Sequence, residues 1–193
     1  SGLLLLWAVV GGAIMFRLRD RFRAFFRRLP GDWRLKFVLS CTLLALIEEA
    51  VTTGMTDLAP LLGVKMGEVA ITASADYVEV VTRHSVVVFV PMFVAWSLLL
   101  SRYRFGPASV FVLWGLTGTL AETITFGLQN LLMTGFWAFV YGLMVYLPSY
   151  AAPEERRARA PRWYHYPLAV VAPLLILIPL FIVAIIALAI LHL

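Results

Sequence analysis

The sequence has too little charge to dissolve in water as a globular domain. Only 14% of its 193 residues are charged and 62% are hydrophobic, against about 25% and 45–50% in soluble domains. It has almost no cysteine: the single Cys41 excludes an internal disulfide and, inside an apolar helix, reads as a small inert core residue. It lacks the polar–apolar alternation of a membrane β-barrel, any close-spaced metal-ligand motif such as HExxH, and any internal inverted repeat. No stretch between its apolar runs is long enough for a soluble domain. The net charge of +5 is no nucleic-acid signal, because the basic residues fall in short loops between apolar runs. These absences leave an all-α integral membrane protein, with residues 1–193 forming a single polytopic membrane domain.

What is present are long apolar runs. They predict about six transmembrane helices, near residues 2–16, 35–55, 85–101, 107–130, 131–150 and 164–193. Two amphipathic stretches accompany them. Residues 17–28 carry six arginines, and Leu18, Phe22, Phe25, Phe26 and Leu29 form a helical stripe. That pattern predicts a basic interfacial helix lying in the membrane plane on anionic lipid, or docking an acidic partner. Pro30-Gly31 ends it, and Asp32 can cap the next helix. Lys65, Glu68, Thr72, Asp76, Glu79 and Arg83 fall at spacings of three and four. They predict an amphipathic outer helix over 65–84, either on the surface or dipping inward as a re-entrant element.

The basic residues fix an expected orientation. Loops 17–36, 101–106 and 151–164 hold eight, two and four Lys/Arg, 14 of the 16 in the chain. With six spans these loops share one side, and an excess of Lys/Arg marks the cytoplasmic side of a cell membrane. Both termini of the sequence are then expected outside. The lipid bilayer is the expected partner, with anionic lipid at the basic 17–28 segment; the sequence does not identify a substrate or a partner membrane protein.

Glu48 and Glu49 sit side by side in the second span, about 16 Å from its start at helical rise and near the centre of a hydrocarbon core about 30 Å thick. A carboxyl there costs at least about 2.5–3.5 kcal/mol on insertion scales, so two together call for a function. Glu48, Thr52 and Thr56 form one row at spacing four, and Glu49, Thr53 and Asp57 another. The broad polar face they make must look into protein or water. In the fourth span Gly115, Gly118, Thr119, Glu122, Thr125 and Gln129 form a face of small and polar residues suited to close helix contact. Glu48, Glu49, Glu122, His84 and Asn130 are the candidate site residues, expected to converge in the outer half of the bundle. A carboxyl that takes up and releases a proton can act as a general base or as a proton carrier.

A glutamate pair in a membrane helix, a histidine on a following helix and an asparagine further on resemble the CAAX-protease and bacteriocin-processing membrane proteases. Their pattern is EExxxR, FxxxH, HxxxN. In this sequence Glu48-Glu49, His84 and Asn130 follow that order over residues 40–130, with Thr53, Val80 and Phe126 at the arginine, phenylalanine and second-histidine positions. The resemblance implies that Glu48 or Glu49 activates a water for peptide cleavage, with His84 and Asn130 supporting the transition state. An intramembrane glutamate-dependent hydrolase is therefore the leading expectation. The residues alone leave three others open. One is a proton- or cation-coupled small transporter or channel. Another is a divalent-metal enzyme in which Glu48, Glu49, Glu122 and His84 hold Zn, Mn or Fe. The last is a structural subunit whose acids pair with a partner's arginine.

Overall fold

The computed structural model describes residues 2–64, 72 and 74–179, and among these every regular element is a helix. Helix α1 (Gly12–Arg28) continues without a break from a π-helical stretch, Leu4–Gly11. Helix α2 (Trp33–Asp57) is capped by Asp32, whose Oδ1 accepts from the Arg34 N–H at 2.7 Å. A 3-10 turn, Pro60–Leu62, follows it. The short α3 (Tyr77–Glu79) passes through a π turn, Val80–His84, into α4 (Val86–Arg102). Helix α5 (Pro107–Phe126) has proline in its first turn, where no N–H is missed. A 3-10 stretch, Leu128–Met133, links it to α6 (Thr134–Ala151), and α7 (His165–Leu175) is the last described α-helix.

Among the described residues, two helices are long and apolar enough to cross a membrane: Pro107–Phe126 and Leu128–Ala151. Tyr77–His84 and Val86–Arg102 make a third if their pair, bent by 47°, is one span; His165–Pro179 is apolar but shorter. The part of the sixth expected span beyond Pro179 lies outside the described residues, as do Lys65 and Glu68.

Side-chain contacts give the helix directions. Trp7 Nε1 donates to the Val140 carbonyl at 2.9 Å, Gly12 faces Leu143, and Arg23 pairs with Glu154, so α1 runs parallel to α6. Gly2 lies against Met55, while Lys36 Nζ donates to the Phe26 and Leu29 carbonyls at 3.0 and 2.9 Å. Helix α2 is therefore antiparallel to α1. It packs on α4 and α6. Helix α7 packs on α4 and α5, and Thr117 Oγ1 donates to its Val170 carbonyl at 2.9 Å.

The closest helix pair is α5 with α6, and glycines make that approach feasible. A Cβ on Gly115 would sit 2.6 Å from the Ala138 backbone, and one on Gly142 would sit 2.7 Å from the Phe111 ring. One on Gly118 would collide with the Tyr141 ring. Where lipid tails are as apolar as the side chains, such tight packing is what joins helices. Phe37, Phe93, Trp96, Leu100, Val110 and Met144 fill the centre and are fully buried.

The three basic loops meet at one end of the bundle. Arg104 N–H donates to the Arg159 carbonyl at 2.8 Å, and Arg159 N–H to the Arg102 carbonyl at 2.9 Å. Arg156 Nη2 reaches the Phe105 carbonyl at 3.2 Å. The Arg23–Glu154 pair ties the first basic loop to the third.

Three local expectations change. The basic segment 17–28 does not turn into a separate helix; it is the second half of one helix, its turns continuing those of the apolar run. Arg23 and Asp20 hold it upright on α6, through Glu154 and through the Tyr150 hydroxyl at 2.7 Å. The proposed outer helix over 65–84 does not run through as one element. Asp76 is extended and caps a new helix, its Oδ1 accepting from the Glu79 N–H at 3.0 Å. Finally, Gly127 at φ 105° ends α5 three residues before Asn130, a conformation that few residues other than glycine adopt.

Candidate functional site

Helix α2 brings Glu48 and Glu49 into the bundle interior, where they are 4% and 7% exposed. The threonine rows serve them locally. Thr52 Oγ1 donates to Glu48 Oε1 at 2.9 Å and lies 3.0 Å from the Glu48 carbonyl, while Thr53 Oγ1 donates to the Glu49 carbonyl at 2.7 Å. Back-bonding of this kind satisfies a hydroxyl inside an apolar helix without a second chain.

The third carboxyl comes from α5. Glu122 is half-buried and lies within coulombic reach of both Glu48 and Glu49. The Tyr141 hydroxyl of α6 donates to Glu122 Oε1. Gly118 makes this arrangement feasible, because its missing side chain is the space occupied by the Tyr141 ring. Phe89 of α4 meets that ring edge-on, with centroids 5.8 Å apart. Ser85, at the bend before α4, lies beside Glu49, and its hydroxyl donates to the Val80 carbonyl at 3.4 Å. Four elements thus supply one cluster: Glu48, Glu49 and Thr52 from α2, Ser85 from the bend, Glu122 from α5 and Tyr141 from α6.

Asn130 is buried beside this cluster but is fully occupied. Its Oδ1 accepts from Trp137 Nε1 at 3.0 Å, and its Nδ2 faces the Gly127 and Glu122 carbonyls at 3.2 and 3.4 Å. It braces the α5–α6 connection. His84 is exposed at the end of the π turn, and among the described residues it makes no hydrogen bond to the carboxyls. No group of three or more His, Cys, Asp or Glu among the described residues is arranged to hold a metal ion. The divalent-metal reading has no donor set there.

Among the described residues, the two ends of the cluster differ. On one side Glu122 is half-buried and the residues after it become exposed. Toward the basic loops, Phe37, Cys41, Ala45, Phe93 and Trp96 close the interior. The buried hydroxyls found there are spent on backbone: Ser97 on the Val94 carbonyl at 2.8 Å, and Thr117 on Leu113 and Val170 at 3.0 and 2.9 Å. No described polar chain leads from the carboxyls to the basic end.

Tyr141 and Ser85 are absent from the sequence reading. Tyr141 carried one usable signal. A phenol in the middle of an apolar span must find an acceptor, and Glu122 on the small-residue face of the preceding span was a candidate. Ser85 carried no signal, because its role depends on the bend that precedes α4.

The chain matches no protein family, no curated protein and no solved structure in the comparisons made.

Proposed function

We propose that this protein is a six-span cell-membrane hydrolase with a one-sided acid site, in which Glu49 acts as general base on a water and Glu122, held by Tyr141, carries the second proton. Peptide bonds are the substrate class that follows from the resemblance to the CAAX-protease and bacteriocin-processing proteases. The basic loops 17–36, 101–106 and 151–164 are taken as cytoplasmic, so the site opens to the outer half of the membrane. The observation that carries this reading is that Glu48 and Glu49 of α2 and Glu122 of α5 lie close enough for their charges to interact, with Glu122 hydrogen-bonded to the Tyr141 hydroxyl and apolar side chains filling the interior toward the basic end. A site open on one side fits catalysis better than free conduction, which needs polar groups along the whole path. In the hydrolytic step the carboxylate takes a proton from water as the water oxygen attacks the carbonyl carbon. The neighbouring protonated carboxyl then gives a proton to the departing amine, and the peptide carbon–nitrogen bond breaks.

A proton-coupled transporter is the second reading, favoured by the exposure of His84 and by the engagement of Asn130 with Trp137. Neither residue is then available to a transition state. Purified protein in liposomes separates the two. Cleavage of membrane-anchored reporter peptides by the wild type, lost in Glu49→Gln, supports the hydrolase. Proton flux into dye-loaded vesicles without cleavage, also lost in Glu49→Gln, replaces it with the transporter. Full activity of Glu48→Gln, Glu49→Gln and Glu122→Gln in both assays would sink the site altogether.

A further inference from the structure

Five of the six arginines of α1 fall into two sets, with Arg27 apart from both. Arg19 and Arg23 point into α6, where Arg23 pairs with Glu154 and Arg19 lies over the Phe16 ring at 3.9 Å and the Tyr150 ring at 5.6 Å. Arg17, Arg21 and Arg28 lie on a different face, at spacings of four and seven, and are exposed. Among the described residues they have no acidic partner. On the same side of α1 runs a groove of about 620 Å³ between α1 and α2, with Leu147 of α6 at its back. Its walls are apolar, among them Val10, Ile14 and Phe25 of α1 and Leu44 and Val51 of α2. Its single charged lining residue is Arg21. The groove exists because α1 leans on α6 while α2 leans on α4 and α6, so the two sequence neighbours do not close on each other along their length.

We propose that this groove holds one anionic phospholipid of the leaflet at the basic end, with an acyl chain along α1 and its phosphate against Arg21, flanked by Arg17 and Arg28. The occupant follows from charge complementarity: an apolar slot with one arginine in its wall and two more exposed cations on the adjoining face of α1 fits an apolar tail with an anionic head. From Arg21 to Leu6 the groove is about 22 Å long at helical rise, enough for a chain that crosses one leaflet of about 15 Å. The inference concerns a lipid site separate from the carboxyl cluster, and it stands whichever reading of that cluster holds.

Native mass spectrometry of the full chain, released from mild detergent with a mixture of phosphatidylglycerol and phosphatidylcholine, tests it. The wild type is expected to keep one phosphatidylglycerol in preference to phosphatidylcholine. Each reversal among Arg17→Glu, Arg21→Glu and Arg28→Glu should weaken that adduct at least about fivefold, since a basic residue near an anionic headgroup contributes about 1 kcal/mol. Val10→Trp, which fills the groove and leaves the charges in place, should lower retention of both lipids. All four positions are off the bundle core, and circular dichroism confirms that the helices persist. Equal retention of the two lipids by the wild type, or an unchanged adduct in the Arg→Glu variants, would overturn the proposal. A lipid-free dimer would also overturn it, since a second copy would then be the occupant.

Discussion

At the residue scale the Glu122–Tyr141 contact is the most exposed to test. The tyrosine hydroxyl is a buried donor, and its recorded acceptor is Glu122. Keeping the acceptor but removing the acid should therefore cost little, whereas removing the acceptor should orphan the donor. Glu122→Gln is expected to unfold close to the wild type. Glu122→Leu should lose about 1–3 kcal/mol, the cost of leaving a buried polar group unpaired. Unfolding in mixed micelles checks the pair, and equal stability of the two variants would mean that Tyr141 finds another partner. The reverse truncation, Tyr141→Phe, removes the donor and leaves Glu122 half-open to solvent. Its expected cost is smaller, about 0.5–1.5 kcal/mol, the net value of one hydrogen bond. Tyr141→Phe destabilising more than Glu122→Leu in the same assay would contradict this order.

At the scale of elements, the α5–α6 crossing joins stability to the site, because the glycines that allow the approach also seat the tyrosine. Gly115→Ala must push Ala138 away, since its Cβ would lie 2.6 Å from that residue's backbone. Overpacking of this kind costs about 1–3 kcal/mol. Gly135→Ala, on α6 with nothing within 4 Å of its Cβ, should be neutral or stabilise by up to about 1 kcal/mol from helix propensity. Thermal melts of the two variants separate packing from propensity, and equal shifts would refute the packing argument. Elements were legible where their signal is local. The Asp32 cap, the polar rows of α2 and the small face of α5 could all be read from spacing. The direction of α1 after Phe16 could not, because an amphipathic basic stripe looks the same whether it lies on lipid or stands against α6. What decides it is tertiary: Tyr150 and Glu154, some 130 residues away, receive Asp20 and Arg23. The break at Asp76 escaped for a related reason. A polar stripe at spacings of three and four fits one helix, yet an aspartate whose side chain caps its own chain starts another. His84 and Asn130 were nominated by order along the chain, and order does not reveal that Trp137 already occupies the asparagine.

At the scale of the whole molecule the question is orientation, and under the proposed hydrolase reading it decides from which side a substrate would reach the carboxyls. The three basic loops touch one another at one end, and the half-buried Glu122 lies toward the other. Moving 14 of 16 basic residues across a membrane would oppose the bias that orients polytopic chains. The basic end is therefore expected to be cytoplasmic and the turn after α2 outside. Cys41 is fully buried, so Cys41→Ala gives a silent background at modest cost. On that background Leu61→Cys, at a site 82% exposed in the turn after α2, should react with an impermeant maleimide added to intact cells. Arg157→Cys, exposed in the third basic loop, should react only after the cells are opened. Labelling of both positions from outside, or of neither until lysis, would mean that the chain does not cross an odd number of times between Leu61 and Arg157, and the six-span reading would fall with it. The opposite pattern, with Arg157→Cys reacting first, would keep the spans but turn the carboxyls toward the cytoplasm, and the proposed hydrolase would then draw its substrate from that side.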